Sequence, residues 1–255
     1  VMRILPRNHD GVNEEWLADR SRFVWDGLRR QRLDRPYVRR NGRLQEASWA
    51  EALAVVADRL KAAAPEKVGV IAGDLQDAES MKAALDLFRA LGVANLDCRQ
   101  DGARIGGGAR EAHLFNTTFA GIDQADVVLL VGANPRLEAP LLNARIRKRW
   151  LNGPLQVGMI GEAADPTYGY EHLGGGPRSL RSVAAGEFKF GEVLANAKAP
   201  AVILGAGALA RPDGAAVLRH AAEAAEKFGL IKDGWNGFNV LHSAAARVGA
   251  PLGHD

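Results

Sequence analysis

Short apolar runs that end at or near a glycine alternate with amphipathic stretches between residues 48 and 229. The apolar runs predict strands buried in a sheet, and they are KVGVIAG at 67–73, VVLLV at 127–131, LQVGMIG at 155–161 and PAVILGAGAL at 200–209. The segment ANLD at 94–97 predicts a further strand. Strands that alternate with helices predict right-handed crossovers and mostly parallel sheets. The pattern therefore favours the α/β class.

Capping residues mark the predicted helices. Ser48 followed by Glu51 fits a capping box. The apolar residues after it recur at helical spacing, and they are Trp49, Leu53, Val56 and Leu60. Glycines close three further predicted helices, which cover 77–92, 141–153 and 212–229. Asn41-Gly42 predicts the turn of a β-hairpin.

The composition is that of an ordinary globular protein, with 47% hydrophobic and 25% charged residues. No apolar run approaches the roughly 20 residues that a membrane-spanning helix needs, so we expect no direct membrane insertion. The net charge of +3 is small, and no stripe of Lys and Arg is interleaved with aromatic residues. We therefore expect no nucleic-acid partner. The opening residues, VMRILPRNHDGVNEEW, do not look like a secretory signal or a natural chain start, which suggests a fragment of a longer chain.

Cys98 is the only cysteine. One thiol cannot form an internal disulfide, an iron–sulfur site of four thiolates or a zinc site of four thiolates, so a reducing compartment is the simplest interpretation. The six histidines are not paired at H-x-H or H-x-x-x-H spacing. We therefore expect no cluster cofactor and no metal bound to this chain.

The first 47 residues are polar and rich in arginine. They form either a solvated face or a docking surface for another domain, and the pattern leaves both interpretations open. Acidic residues also cluster here without a partner base, and solvated acids are the preferred interpretation. They are Asp10, Glu14, Glu15 and Asp19.

Two glycine-containing turns are candidates for nucleotide binding. GAGALA at 205–210 resembles part of a dinucleotide fingerprint, but Arg211 to Gly214 separate it from the next long helix, so a working NAD site is not expected. In the other turn, Gly132 permits close backbone approach and Asn134-Pro135 forces a turn where a parallel strand ends. A nucleotide-phosphate loop and a plain strand-ending turn are both compatible with that pattern.

The segment IDQADVVLLVGANPRLEAPLLNARIRKRW at 122–150 resembles the molybdopterin-dependent oxidoreductases of the formate dehydrogenase type. Their pattern is a strand introduced by aspartate, then G-x-N-P, E-x-H-P and a basic helix. The match is closer to one branch, the large iron–sulfur subunits of NADH:quinone oxidoreductase (complex I, 75 kDa type). The resemblance continues in order through most of the chain, in NEEWLADRSRFVWDGLRRQRL, SWAEAL, TYGYEHLG and NGFNVLH.

Departures from the family pattern concern the cofactor. In catalytic members, N-x-D precedes the residue that ligates molybdenum. Here Asn95-Leu96-Asp97 matches, but the ligand position falls near Ala103, and Cys98 comes too early. The resemblance therefore implies that this chain lacks the metal ligand.

The pterin-binding loops depart as well. E-x-H-P is replaced by Glu138-Ala139-Pro140, and a D-P-R that helps to hold the guanosine is replaced by Asp165-Pro166-Thr167. The resemblance thus implies a vestigial pocket, whose residues would be Gly132, Asn134, Pro135 and Asp165.

The implied fold has two interleaved Rossmann-like lobes with mostly parallel sheets, like domains II and III of formate dehydrogenase and DMSO reductase. The predicted parts are a lead-in over 1–47, a discontinuous lobe over 48–100 plus 195–255, and an inserted lobe over 101–194. The lead-in would pack toward an iron–sulfur domain that precedes it. Its interface candidates are Trp16, Arg20, Arg22, Phe23, Arg29, Arg30 and Arg32.

The implied function is that of a scaffold in a respiratory complex that passes electrons from NADH to quinone, coupled to ion translocation. The complete subunit would bind 2Fe–2S and 4Fe–4S clusters upstream of this chain. Its partners would be other complex I subunits, in a peripheral arm facing the cytoplasm or the mitochondrial matrix. The alternatives are a catalytic molybdenum or tungsten enzyme of formate dehydrogenase type and a nucleotide-binding protein.

Overall fold

The computed structural model describes residues 2–99, 101–105 and 109–249, so residues 250–255 of the predicted discontinuous lobe lie outside it. The strands are β1 Tyr37–Arg40, β2 Arg43–Glu46, β3 Gly69–Ile71, β4 Asn95–Asp97, β5 Val127–Val131, β6 Gln156–Ile160, β7 Glu171–Gly174, β8 Pro200–Gly205, β9 Ile231–Lys232, β10 Trp235–Asn236 and β11 Phe238–Leu241. The α-helices are α1 Asp19–Arg22, α2 Trp49–Ala62, α3 Ala78–Ala90, α4 Thr118–Gly121, α5 Pro135–Glu138, α6 Pro140–Leu151, α7 Pro177–Ala185, α8 Lys189–Ala195, α9 Ala206–Leu209 and α10 Gly214–Lys227.

A five-stranded sheet in the order β11-β8-β5-β6-β7 forms the centre of the fold, and every neighbouring pair in it is parallel. All five residues of β5 are buried. Val127, Leu129 and Val131 face one apolar layer, whereas Val128 and Leu130 face the other. The alternation follows from the two-residue period of a strand. It confirms the predicted α/β class with a mostly parallel sheet.

Helices cover both faces of this sheet. One apolar layer includes Leu180 of α7, Phe190 of α8 and Val217 of α10. The other includes Leu142 and Ile146 of α6. The alanine-rich α10 can pack closely because four of its five buried positions are Gly or Ala. No helix among the described residues is long and apolar enough to cross a membrane.

Local capping and turn signals have the predicted structure. Asn41 and Gly42 have φ angles of +50° and +79°, and they connect the antiparallel strands β1 and β2. The Ser48 side chain accepts a hydrogen bond from the amide of Glu51 at 3.2 Å and so begins α2. These local features are specified by short stretches of sequence, which is why the sequence predicts them.

The pairing of β8 and β11 corrects the predicted division into lobes. The prediction grouped residues 195–255 with 48–100, but β8 pairs with β5 and β11 pairs with β8 in the central sheet. The strands of 48–100 form a separate two-stranded parallel sheet, β3-β4. The prediction failed here because an apolar run shows that a strand is buried but does not identify its neighbour.

The α2-β3-α3-β4 unit, residues 49–97, is much less buried than the central sheet. Neither α2 nor α3 contains a buried residue. Large apolar side chains are exposed, among them Trp49 at 70% and Leu53 at 59%. The unit therefore lacks an apolar layer comparable to those around β5.

Two glycines bring the ends of β5 and β8 into close contact. A Cβ atom at position 205 would lie against the carbonyl oxygen of Gly132 and 2.9 Å from the Cα of Ala133. Gly132 itself has φ +55°, and a Cβ there would lie 2.6 Å from the Cβ of Ala208. The close approach that Gly132 permits is thus to the chain's own β8–α9 segment.

We expect Gly205→Ala to destabilise the protein, because the added methyl must displace backbone atoms. Overpacking of this kind typically costs about 1–3 kcal/mol. Urea unfolding followed by circular dichroism measures the change. Gly207→Ala is the matched control, since a Cβ at Gly207 meets nothing within 4 Å and alanine is the better helix former. Equal midpoints for the Gly205 variant and the wild type would contradict this packing account.

Candidate functional site

The carboxyl ends of β5, β6 and β8 meet at one edge of the central sheet, which is where open α/β sheets bind ligands. A cavity of about 660 Å³ lies at this edge between the loops after β5 and β6. A second cavity of about 310 Å³ adjoins it and extends to α7 and the β8–α9 turn. Gly132, Ile160, Gly161 and Glu162 line both cavities. The volumes lie within the range typical of small-molecule sites.

The predicted vestigial-pocket residues divide into two groups. Gly132, Asn134 and Asp165 line the larger cavity, so the structure brings together three residues from two separate loops. Pro135 is buried and forms the first residue of α5. Its fixed φ suits a helix start, and it is not among the residues that line either cavity.

Several polar groups of the larger cavity pair with each other. Arg136 donates to the Asp165 carboxylate at 2.7 Å and to its carbonyl oxygen at 2.9 Å. The amide of Thr167 donates to the same carboxylate at 2.9 Å. The Thr167 amide and then the Arg136 guanidinium hold the pKa of Asp165 below its usual range. Asp165 therefore remains ionised with its charge compensated inside the chain.

The loop after β5 is also held by hydrogen bonds between its own residues. The Glu138 carboxylate accepts a hydrogen bond from the Asn134 amide at 2.6 Å, and the Asn134 carbonyl accepts from the Glu138 amide at 2.9 Å. The side-chain oxygen of Asn134 has no hydrogen-bond partner among the described residues. Glu138 thus supports the α5 turn.

The position that corresponds to the family's molybdenum ligand is apolar. Ala103 is 1% exposed and carries no donor side chain. Cys98 is also buried, and burial followed by the charge of Asp97 raises the pKa of its thiol. Within the described part of the chain, no group of three or more His, Cys, Asp or Glu residues is placed to hold a metal ion.

A buried arginine occupies the carboxyl edge of the small β3-β4 sheet. Arg247 is 3% exposed, and its guanidinium pairs with Asp101 and, at 3.1 Å, with Asp74. The amide of Ala246 also donates to the carbonyl of Asp74 at 2.9 Å. These bonds tie the α2-β3-α3-β4 unit to the segment that follows the central sheet. The hydrogen bond from Arg247 also keeps the pKa of Asp101 low despite desolvation, which acts to raise it.

Comparison with known proteins places this chain in a family. The molybdopterin oxidoreductase family matches residues 32–251. The chain belongs to that family. Residues 1–26 match a second family, described as the NADH-ubiquinone oxidoreductase NDSU1/NuoG-like 4Fe-4S domain.

Curated relatives confirm the predicted resemblance to the iron–sulfur subunit of NADH:quinone oxidoreductase. The G subunit of NADH-quinone oxidoreductase from Rickettsia bellii is 44% identical over 249 residues, which is 98% of this chain and 37% of the relative. The corresponding protein of Rickettsia conorii is 45% identical over the same shares. The chain thus spans little more than a third of the length of these relatives.

A solved structure shows the same fold at low sequence identity. It is a chain of the formyltransferase/hydrolase complex FhcABCD from Methylorubrum extorquens in complex with methylofuran, with a TM-score of 0.52 and 18% identity. The match covers 85% of this chain and 64% of that one. At this identity the likeness concerns the fold alone.

The residues present do not fit the molybdenum-bound pterin that the family name implies. Ala103 offers no metal ligand, and Asp165 is already paired with Arg136. Thr167, which stands where the family pattern has a cation, has φ +74° and donates its amide to Asp165. The charged groups that would hold a guanosine and a metal are absent or engaged at these three positions.

The lead-in contacts the central domain through residues that the sequence analysis did not select. Glu14 is 28% exposed and pairs with Lys148 at 2.9 Å and with Arg145 at 3.2 Å. The interpretation of Glu14 as a solvated acid is therefore wrong. The missed signal was the acidic cluster at 10–19 together with the basic helix at 145–149, which are complementary but more than 120 residues apart.

Most of the predicted interface candidates face solvent in this structure. Trp16 and Phe23 are 57% and 61% exposed. Among the described residues, Arg20, Arg29, Arg30 and Arg32 are exposed and form no ion pair, and Arg22 lies 3.9 Å from Asp19. These side chains remain accessible to a partner outside this chain.

Proposed function

We propose that this chain is a scaffold within the iron–sulfur subunit of NADH:quinone oxidoreductase and binds no cofactor of its own. The observation that carries the proposal is the identity of 44–45% to the two rickettsial relatives over 98% of the chain. The whole enzyme would pass electrons from NADH through flavin and iron–sulfur clusters to quinone, coupled to ion translocation. This chain would take part by bracing the cluster-bearing domain.

The internal pairing of the cavity residues supports a vestigial pocket. A working anion or guanosine site presents unpaired donors or acceptors to its ligand. Here Arg136 and Asp165 pair with each other and Glu138 bonds to the backbone of its own loop. Among the described residues that line the larger cavity, the side-chain oxygen of Asn134 is the one buried side-chain acceptor left without a partner. The pocket would persist because the loops terminate buried strands.

The 2Fe–2S and 4Fe–4S clusters would be held by residues outside this chain. The 4Fe–4S domain match over residues 1–26 contains no cysteine. Cys98 is a single buried thiol with a raised pKa, whereas cluster ligands are thiolates. The scaffold would therefore lie beside the electron path.

The two-lobed architecture is proposed in a revised form. The central sheet with its helices would be one Rossmann-like lobe, and the α2-β3-α3-β4 unit would begin the other. Parallel sheets occur almost only with both faces covered, and a two-stranded sheet is marginal alone. Because α2 and α3 bury no residue here, another part of the subunit would complete this lobe.

The lead-in would pack toward the cluster-bearing domain and neighbouring complex I subunits, in a peripheral arm facing the cytoplasm or the mitochondrial matrix. The exposed Trp16 and Phe23 and the arginines of the lead-in support this surface. Trp and Arg are among the residues that dominate interface energies.

The pocket proposal is tested with Asp165→Ala in the tagged full-length subunit. We expect NADH:quinone activity per assembled complex to equal that of the wild type, because the partners of the carboxylate in this structure are groups of the chain itself, the Arg136 guanidinium and the Thr167 amide. Arg136→Ala is the matched control, since it breaks the same pair from the other side. Lost activity at unchanged complex content would mean that the cavity is used. If no NADH-oxidising activity copurifies with the tagged subunit, the proposed function itself is refuted.

The docking surface is tested by replacing Arg20, Arg22, Arg29, Arg30 and Arg32 with alanine in the full-length subunit. We expect depleted complex, because each buried interface arginine that is truncated typically costs about 2–5 kcal/mol. An exposed ion pair would contribute under about 1 kcal/mol. Complex content is measured by native electrophoresis, and thermal unfolding of the purified full-length variant serves as the control for folding. Assembly at the wild-type level would show that the arginines form a solvated face.

A further inference from the structure

Two segments of this chain match two different families, and one buried arginine lies where these segments contact each other. Asp10 and Glu14 belong to the part that matches the 4Fe–4S domain, and Arg145 of α6 belongs to the molybdopterin oxidoreductase part. The Arg145 side chain is only 4% exposed, whereas Lys148 on the same helix is 54% exposed. A buried cation on a helix whose neighbouring cations Arg147 and Lys148 are exposed indicates a specific set of partners.

The guanidinium of Arg145 bonds to both parts at once. One nitrogen, Nη2, donates to the carbonyl oxygen of Asp10 at 2.6 Å and lies 3.2 Å from the Glu14 carboxylate. The other, Nη1, pairs with Asp123 at 3.1 Å, in the turn that precedes β5. The planar fork of an arginine can make these bonds together, which a lysine ammonium cannot reproduce.

The lead-in presents its two acceptors from a closed turn. The amide of His9 donates to the carbonyl of Glu14, and the amide of Glu14 donates to the carbonyl of His9, both at 2.8 Å. Glu14 has φ +52°, which is uncommon for a residue other than glycine. The side-chain amide of Asn13 ties the turn to the carbonyls of Arg7 and Trp16. The acceptors are therefore held in place before they meet Arg145.

We propose that Arg145 is a positioning residue that latches the 4Fe–4S domain onto this domain. It would fix one register of residues 9–14 on α6 and so set how the cluster-bearing domain sits on the central sheet. The inference rests on the proposed function, because it requires the lead-in to belong to an iron–sulfur subunit. Buried ion pairs are better attested as devices that specify a register than as sources of net stability.

Alternative contacts on α6 would not fix this register. Among the described residues, the hydrogen bond of the exposed Arg147 goes to the carbonyl of Thr167, at 3.3 Å, within the molybdopterin oxidoreductase part. The Lys148–Glu14 pair is more exposed and is satisfied by many positions of a flexible ammonium group. Arg145 is thus the member of the helix whose loss would free the turn.

The test is amide hydrogen exchange of the full-length, cluster-containing subunit with Arg145→Gln, Glu14→Gln and the double variant. We expect exchange of the His9 and Glu14 amides to accelerate by at least about tenfold in each single variant, since a buried charge loses its partner. The acceleration in the double variant should fall short of the product of the two single effects, because both changes break the Arg145–Glu14 pair. Residues 127–131 of β5 should keep their protection, and Arg147→Gln should match the wild type.

Unchanged exchange of the lead-in turn would overturn the proposal, as would equal acceleration in β5, which would make Arg145 an ordinary core residue. Independent, multiplying effects of the two substitutions would also contradict it. The exchange is measured without turnover. A subunit that fails to assemble with NADH-oxidising partners therefore refutes the proposed function. The exchange rates of the His9 and Glu14 amides can still be measured in that subunit, and they test the role of Arg145 separately.

Discussion

The burial of β5 between two apolar layers is the constraint on which the rest of the structure depends. Each of its five residues is buried, and the strand pairs with β6 on one side and β8 on the other. The Gly132–Gly205 contact then fixes where the loops after β5 and β8 leave the sheet. Cavity, loops and helix α6 are all positioned by this one strand and its neighbours.

A sheet that is stable through its own burial can keep a ligand-binding shape without a ligand. The cavities form where parallel strands end together at one edge of the sheet. Charged side chains at this edge instead pair with each other, as in Arg136–Asp165. A pair of this kind is consistent with the scaffold role that we propose for this chain.

Local elements could be predicted from the sequence because short patterns specify them. The apolar run 127–131, the Ser48 cap and the Asn41-Gly42 turn each have the expected structure. The strand β7 was not predicted, since only Leu173 of its four residues is buried and its apolar pattern is weak. Pairings across long separations were missed for a different reason. The partners of β8 and of Arg145 are set by tertiary packing, which no local pattern encodes.

Metal and pterin analysis of the purified complex is the most direct test of the claim that this domain is a cofactor-free scaffold. Molybdenum, tungsten and iron would be measured by mass spectrometry, and pterin by fluorescence after oxidation. The account predicts iron from clusters held outside this chain, with molybdenum, tungsten and pterin at background. Molybdenum or tungsten in stoichiometric amount, together with pterin, would contradict it.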